Sequence, residues 1–166
     1  MIRAGLLALT LVLTQFALAG VTGGQAALPL VLPNLPQDGG NTSLESLRGK
    51  VIYLDFWASW CGPCRVSFPQ LESLRGELGG RGFEVLAVSV DENQEDALLF
   101  LEERPVSYPV VWDPSGESPA AWGILGMPTG YLIDRDGKVR LVHRGFRKGD
   151  GERLREEILE LLGEAH

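Results

Sequence analysis

Two cysteines stand three residues apart in Cys61-Gly62-Pro63-Cys64, and the 166-residue chain has no others. Paired thiols at this spacing suit reversible disulfide chemistry, half of a zinc site, or an inert link. A structural zinc site takes four ligands in short-spaced pairs, and here the remaining soft candidates are two distant histidines, His143 and His166. An inert link gains little by closing so short a loop, because stabilisation grows with loop length. Redox exchange explains the pair best. If the segment opens a helix, residues i and i+3 share a face and the two sulfurs can reach bonding distance. Cys61 then meets the free N–H groups and positive dipole end of a helix N-terminus, which favour a thiolate. The thiolate is the attacking form, so Cys61 is the expected exposed nucleophile and Cys64 its buried partner. Pro63 suits a first helical turn, where a missing N–H does no harm.

The elements on either side must position this pair. Val51 to Trp57 is a near-continuous apolar run, the mark of a central strand buried on both faces. Asp55 interrupts it. A carboxylate there is unfavourable unless paired or neutral, and burial raises its pKa toward the range useful to a general base. Trp57 is expected to pack, and Trp60 to form a partly exposed wall beside Cys61. Cys61 to Leu78 reads as a helix with Leu71, Leu74 and Leu78 on one face. Pro69 should kink it, and Gly79-Gly80 stops it.

Phe83 to Val90 reads as a second buried strand, and Glu95 to Arg104 as a helix with Leu98, Leu99 and Leu101 inward. A short strand is expected at Val110 to Trp112 and one or two helical turns at Ser118 to Trp122. Tyr131 to Ile133 and Val139 to His143 flank an Asp136-Gly137 step, a hairpin signal. Asp150 caps a last amphipathic helix carrying Leu154, Ile158, Leu161 and Leu162. Ahead of all this, Leu28 to Gln37 holds three prolines and reads as an irregular edge segment. Thr42 with Glu45 resembles a capping box. Strands alternating with helices imply an α/β fold, layered around a central mixed β-sheet.

Residues 1–26 do not read as domain. Arg3 precedes an uncharged run from Ala4 to Ala19, and Ala17-Leu18-Ala19 or Gly24-Gln25-Ala26 offers small residues where a signal peptidase cuts. A signal peptide or an uncleaved N-terminal membrane anchor both fit, and both place the folded part, residues 27–166, outside the cytoplasm. The formal charge of −7, with no basic run, argues against nucleic-acid binding and is better read as solubility.

The segment Phe56-Trp57-Ala58-Ser59-Trp60-Cys61-Gly62-Pro63-Cys64-Arg65 resembles the active site of the thioredoxin superfamily. Arg65, the leader, the stretch from Asp91 to Pro114, and Gly126-Met127-Pro128-Thr129 followed by Leu132-Ile133-Asp134 make the chain similar to the TlpA/ResA-like branch of exported thiol–disulfide oxidoreductases. The resemblance implies a thioredoxin-like fold with an N-terminal extension and a central αβ insertion. It implies that Asp55 takes the proton of Cys64, that Pro128 is a cis-proline facing the dithiol, and that Met127 offers its backbone to an extended substrate. Trp60, Gly62 and Pro63 complete the expected substrate surface. Two departures stand out. Ser67 replaces a Glu common in this branch, and Gly130 stands where members serving cytochrome c maturation often carry an acidic residue near the proline.

The function expected on this basis is a monomeric enzyme that reduces disulfides in exported proteins, periplasmic or tethered to the outer face of the membrane. An integral-membrane thiol reductase would supply its electrons. The redox-active Cys61–Cys64 disulfide would serve in place of any cofactor, with no metal. Alternatives are a disulfide oxidase or isomerase, a cytochrome c maturation thioredoxin and, remotely, a copper chaperone using both thiols and His143. Otherwise His143 and His166 carry no expected role.

Overall fold

The computed structural model describes residues 20–36 and 39–164. The leader up to Ala19 and His166 lie outside them. Among the described residues, no helix is long and apolar enough to cross a membrane.

A strand with both faces covered runs through the middle of the protein: β1 (Val31–Pro33) and β2 (Asn41–Ser43) precede it, and β3 (Val51–Trp57) is buried at all seven residues. β3 lies parallel to β4 (Phe83–Ser89) on one side and antiparallel to β6 (Thr129–Ile133) on the other. β5 (Val110–Trp112) extends the sheet beside β4, and β7 (Val139–Arg144) extends it beside β6. The order is β5-β4-β3-β6-β7, a mixed sheet as the sequence implies. α1 (Cys64–Leu78) carries the chain from β3 to β4, and α2 (Gln94–Glu103) from β4 to β5. α2 and β5 are the central insertion. α3 (Glu117–Trp122) precedes β6, and α4 (Asp150–Gly163) follows β7.

Side chains alternate across a strand, so β3 supports two cores. Tyr53 and Trp57 meet Phe68, Leu71 and Leu74 of α1, Phe100 of α2, and Leu154 and Ile158 of α4. Ile52, Leu54 and Phe56 meet Leu86, Val88, Tyr131, Ile133 and Trp122. Aromatic rings lock the first core: Trp57, Phe68 and Phe100 have centroids 4.7 to 4.9 Å apart.

Several local expectations shift. α1 starts at Cys64, not Cys61. Residues 61–63 form tight turns instead, with Cys61 N–H bonded to Ala58 O and Cys64 N–H to Cys61 O. The helix continues through Pro69. In α2, Ala97 and Phe100 form the buried stripe, and Leu99 turns about 100° away from it, leaving it 60% exposed. Thr42 belongs to β2 and bonds Asn34. Ser43 takes over its capping role, its Oγ accepting from Ser46 N–H at 3.0 Å. The stretch expected to be irregular supplies β1, which pairs with β2 beyond it, and Asn34 and Leu35 then bridge to the outer side of β5.

The boundary at Ala27 also moves. Val21 is buried in the second core. Gly24 N–H donates to Val139 O at 2.7 Å, and Val139 N–H to Gln25 O at 2.8 Å. Gly20 lies so close to Gly123 that a Cβ on Gly123 would sit 2.4 Å from its Cα. Residues 20–26 therefore belong to the domain. They dock through backbone bonds and one apolar side chain, which leaves no periodic pattern to read. A chain starting at Gly20 should be more stable than one starting at Ala27. Burial of Val21 alone is worth about 1.5–3 kcal/mol, so the urea midpoint should fall measurably on removing residues 20–26. Equal midpoints would show this segment to be a passenger.

Candidate active site

The loop after β3 holds the cysteines, and β4 and β5 hold the loop. Asp91, just past β4, is buried. Its carboxylate accepts from Ser59 N–H at 3.0 and 3.1 Å, from Ser59 Oγ–H at 2.7 Å and from Ser89 Oγ–H at 3.0 Å. Its own carbonyl accepts from the Trp112 indole of β5 at 2.7 Å. Hydrogen bonds to a charged group are the stronger kind, so the residues just ahead of Cys61 are fixed to the sheet. Sequence reasoning missed this anchor. Its only trace is Ser89-Val90-Asp91 at a strand end, where short polar side chains fold back onto the backbone.

Cys61 and Cys64 form a disulfide with Cα atoms 5.3 Å apart. In this oxidised state Cys61 is 4% and Cys64 0% exposed. Both sulfurs are thus buried in this state, and the exposure expected of Cys61 is not seen while the disulfide is closed. Cys64 N–H points at Cys61 Sγ from 3.2 Å, a backbone donor that favours a thiolate there once the bond opens. Gly62 and Pro63 are exposed, and Trp60 is 71% exposed, forming the apolar wall. The Met127–Pro128 peptide is cis, and half-buried Met127 packs on the core that contains both cysteines. Trp60, Gly62 and Pro63 flank the dithiol in the chain, and the cis Met127–Pro128 peptide lies ahead of β6. Arg65 faces α2, bonding Glu103 at 3.1 Å and lying over the Phe100 ring.

Asp55 is 0% exposed and lies on the β3 face shared by Tyr53 and Trp57, which pack in the core with Cys64. Neither of its carboxyl oxygens has a hydrogen-bond partner among the described residues, and the same holds for Trp57 Nε1 and Tyr108 Oη. Burial holds the Asp55 pKa well above the ordinary carboxylate value, because a charge cannot be solvated there. Ser67, at the position of the missing Glu, is fully buried, and its hydroxyl donates to the Cys64 carbonyl at 3.2 Å. It adds no second titrating group beneath Cys64. Among the described residues, no three His, Cys, Asp or Glu side chains group in a way that could hold a metal ion.

A family model described as Redoxin matches residues 22–158. Thiol-disulfide oxidoreductase ResA of Halalkalibacterium halodurans is 34% identical over 139 residues, 84% of this chain and 76% of the relative. The protein of that name from Bacillus thuringiensis subsp. konkukian is 31% identical with the same coverage. A Chlorobium tepidum crystal structure, provisionally named thiol:disulfide interchange protein DsbE, matches with a TM-score of 0.82 at 44% identity, over 87% of this chain and 100% of that one. With the buried strand, the Cys61–Cys64 disulfide and the cis-proline already in place, these similarities show that the chain belongs to the Redoxin family, as a TlpA/ResA-like thiol–disulfide oxidoreductase of the thioredoxin superfamily.

Proposed function

We propose that this oxidoreductase works outside the cytoplasm as a monomeric reductant of disulfides in exported proteins. The observation that carries the reading is the graded site: an apolar, exposed rim, a slightly accessible Cys61, and a fully buried Cys64 on the core face that holds a buried carboxyl. The Cys61 thiolate attacks a substrate disulfide, forming a mixed disulfide and releasing one substrate thiolate. Cys64 gives its proton to Asp55 and attacks Cys61 Sγ, which releases the second substrate thiolate and closes the Cys61–Cys64 bond. Two electrons have then passed to the substrate. A membrane thiol reductase returns them by the same exchanges in reverse. The Gly62-Pro63 dipeptide between the cysteines favours this direction by resemblance, since these residues strongly influence the potential.

Met127 presents its backbone to an extended substrate segment beside Cys61, a short strand addition. Ser67 and Gly130 speak against a dedicated role in cytochrome c maturation. The leader supports export. Cleavage after Ala19 fits better than cleavage after Ala26, which would remove the docked residues 20–26.

Two measurements bear on the site. After reduction, mild alkylation should modify Cys61 first, with Cys64 protected until the protein unfolds; peptide mapping showing Cys64 labelled first would reverse the assignment. Replacing Asp55 with Asn keeps the shape and removes the titrating group. Turnover near neutral pH should fall about 10-fold or more, as for a positioned base, and mixed-disulfide resolution should lose one titration step. Because the folded-state pKa is raised, the folded protein holds a proton that the unfolded chain has released above 3.8. Stability contributed at this site therefore declines as pH rises from there. The Asn variant should gain stability over the parent at pH 7 and gain none at pH 3. Unchanged turnover with an unchanged pH profile would make the carboxyl structural.

A further inference from the structure

Three loops leave one end of the sheet. β3 ends at Trp57 and runs into the dithiol loop. Thr129 opens antiparallel β6 directly after the cis peptide and is the register partner of Phe56, so the Met127–Pro128 turn lies at that end too. Arg144 closes β7 and is the register partner of Thr129. The loop after it is bonded to the turn, Gly145 N–H donating to Pro128 O at 2.8 Å. Met127 packs on the core that holds both cysteines, and Phe146 of the β7 loop belongs to that core. The backbone of Met127 makes no hydrogen bond among the described residues.

The β7 loop reads Arg144-Gly145-Phe146-Arg147-Lys148-Gly149, and it is fastened from within. Phe146 is buried. Asp150 accepts from Arg147 N–H at 2.8 Å and returns its own N–H to Arg147 O at 3.1 Å. The side chains of Arg144, Arg147 and Lys148 stay exposed, and none of them has a hydrogen bond or ion pair among the described residues. Nearby charges are otherwise matched. Arg65, next to Cys64, is tied to Glu103, and Asp150 to Arg153. Glu152, early in α4, interacts with Arg155. The exposed carboxylates Glu92 and Glu117 follow β4 and β5, across the dithiol loop from β7. The site end of the sheet is thus polarised, cationic toward β7 and anionic toward β5. In a chain of formal charge −7, three unmatched cations fixed beside the turn are a local reversal of sign.

We propose that Arg144, Arg147 and Lys148 form a cationic rim that selects substrates carrying acidic residues beside the reacting cysteine. The proposal rests on the reading above that an extended substrate segment pairs with Met127. A segment at that turn runs next to the β7 loop, and aspartate or glutamate on that flank faces the rim. Exposed ion pairs add little affinity one by one, so the selection acts mainly on encounter. Complementary charge steers association, and salt weakens the steering. Glu92 and Glu117 repel the same acidic flank from the other side, which favours one orientation of the segment across the site.

The test compares two peptides that carry the same disulfide, one flanked by glutamates and one by lysines. The reduced full chain reduces their disulfides, and the oxidised full chain oxidises their dithiol forms. Both directions pass through a mixed disulfide with Cys61, so either one reads the rim. Each rate is taken relative to that of the same peptide with a small neutral thiol or disulfide, which removes intrinsic reactivity. At about 10 mM salt the glutamate peptide should react about 10-fold faster or more, and at about 1 M, where charges are screened within about 3 Å, the two should react alike. Replacing Arg144, Arg147 and Lys148 together by Gln should abolish the low-salt preference, and Lys148→Glu alone should lower it. Replacing Arg81, Arg135 and Lys138 by Gln changes the net charge equally at the opposite end of the sheet and should keep it. A parent without preference at low salt, or a preference lost equally in both triple variants, would overturn the rim. So would binding of phosphatidylglycerol vesicles through these three residues with no discrimination between the peptides, which would make the loop a membrane surface. Slow reduction beside fast oxidation of both peptides would instead overturn the reductant reading, and the oxidation rates would then decide the rim.

Discussion

A carboxyl group held inside a strand that water cannot reach is the constraint on which the site depends. Asp55 has no partner for either oxygen among the described residues, and leaving a buried polar group unsatisfied costs about 1–3 kcal/mol. Against a total stability of about 5–15 kcal/mol for a domain, that is a large concession at one position. Burial offsets part of this by favouring the protonated, uncharged form. β4 and β6 cover its strand from both sides, and the aromatic cluster of Trp57, Phe68 and Phe100 seals the face above it. The same dryness gives the carboxyl its affinity for a proton. A structural defect and a chemical capability are here one property.

The second requirement is that the sulfurs stay put while the bond between them opens and closes. Rigidity comes from three neighbouring parallel strands. β3 delivers the loop, Asp91 at the end of β4 grips it through Ser59, and Trp112 of β5 grips Asp91. The insertion that distinguishes this branch thus reaches the active site through two hydrogen bonds in series. Its helix contributes as well, since Phe100 packs on Trp57 and carries Arg65 over its ring. Only the rim of Trp60, Gly62 and Pro63 stays open to a partner.

Much of this was legible in the residues. Continuous apolar runs announced β3 and β4, because a strand covered on both faces shows no alternation. The Cys-x-x-Cys spacing announced the dithiol, and the likeness to a known superfamily announced the cis-proline and the role offered to Asp55. What stayed hidden was whatever depends on register. Nothing in the local sequence around Gly130 or His143 indicates that they share a row with Asp55, since those pairings join strands far apart in the chain. Asp91 was hidden for the same reason, its partner Ser59 being a neighbour only in space. Leu99 misled because its residue type suggests burial while its angular position on α2 decides otherwise.

The segment from Val21 to Leu35 crosses the second face of the sheet and touches both of its borders. Residues 24–26 pair with the start of β7, and Asn34 and Leu35 pair with β5. Exposed strand borders invite pairing with other chains, and proteins commonly cover or charge them. One continuous stretch of this chain covers part of both. If the partners are the disulfide-bearing chains proposed above, unfolded strands among them would find fewer unpaired backbone groups at the sheet borders. Their extended segments would be left with the Met127–Pro128 turn, where the proposed pairing would lead to exchange rather than to a tangle.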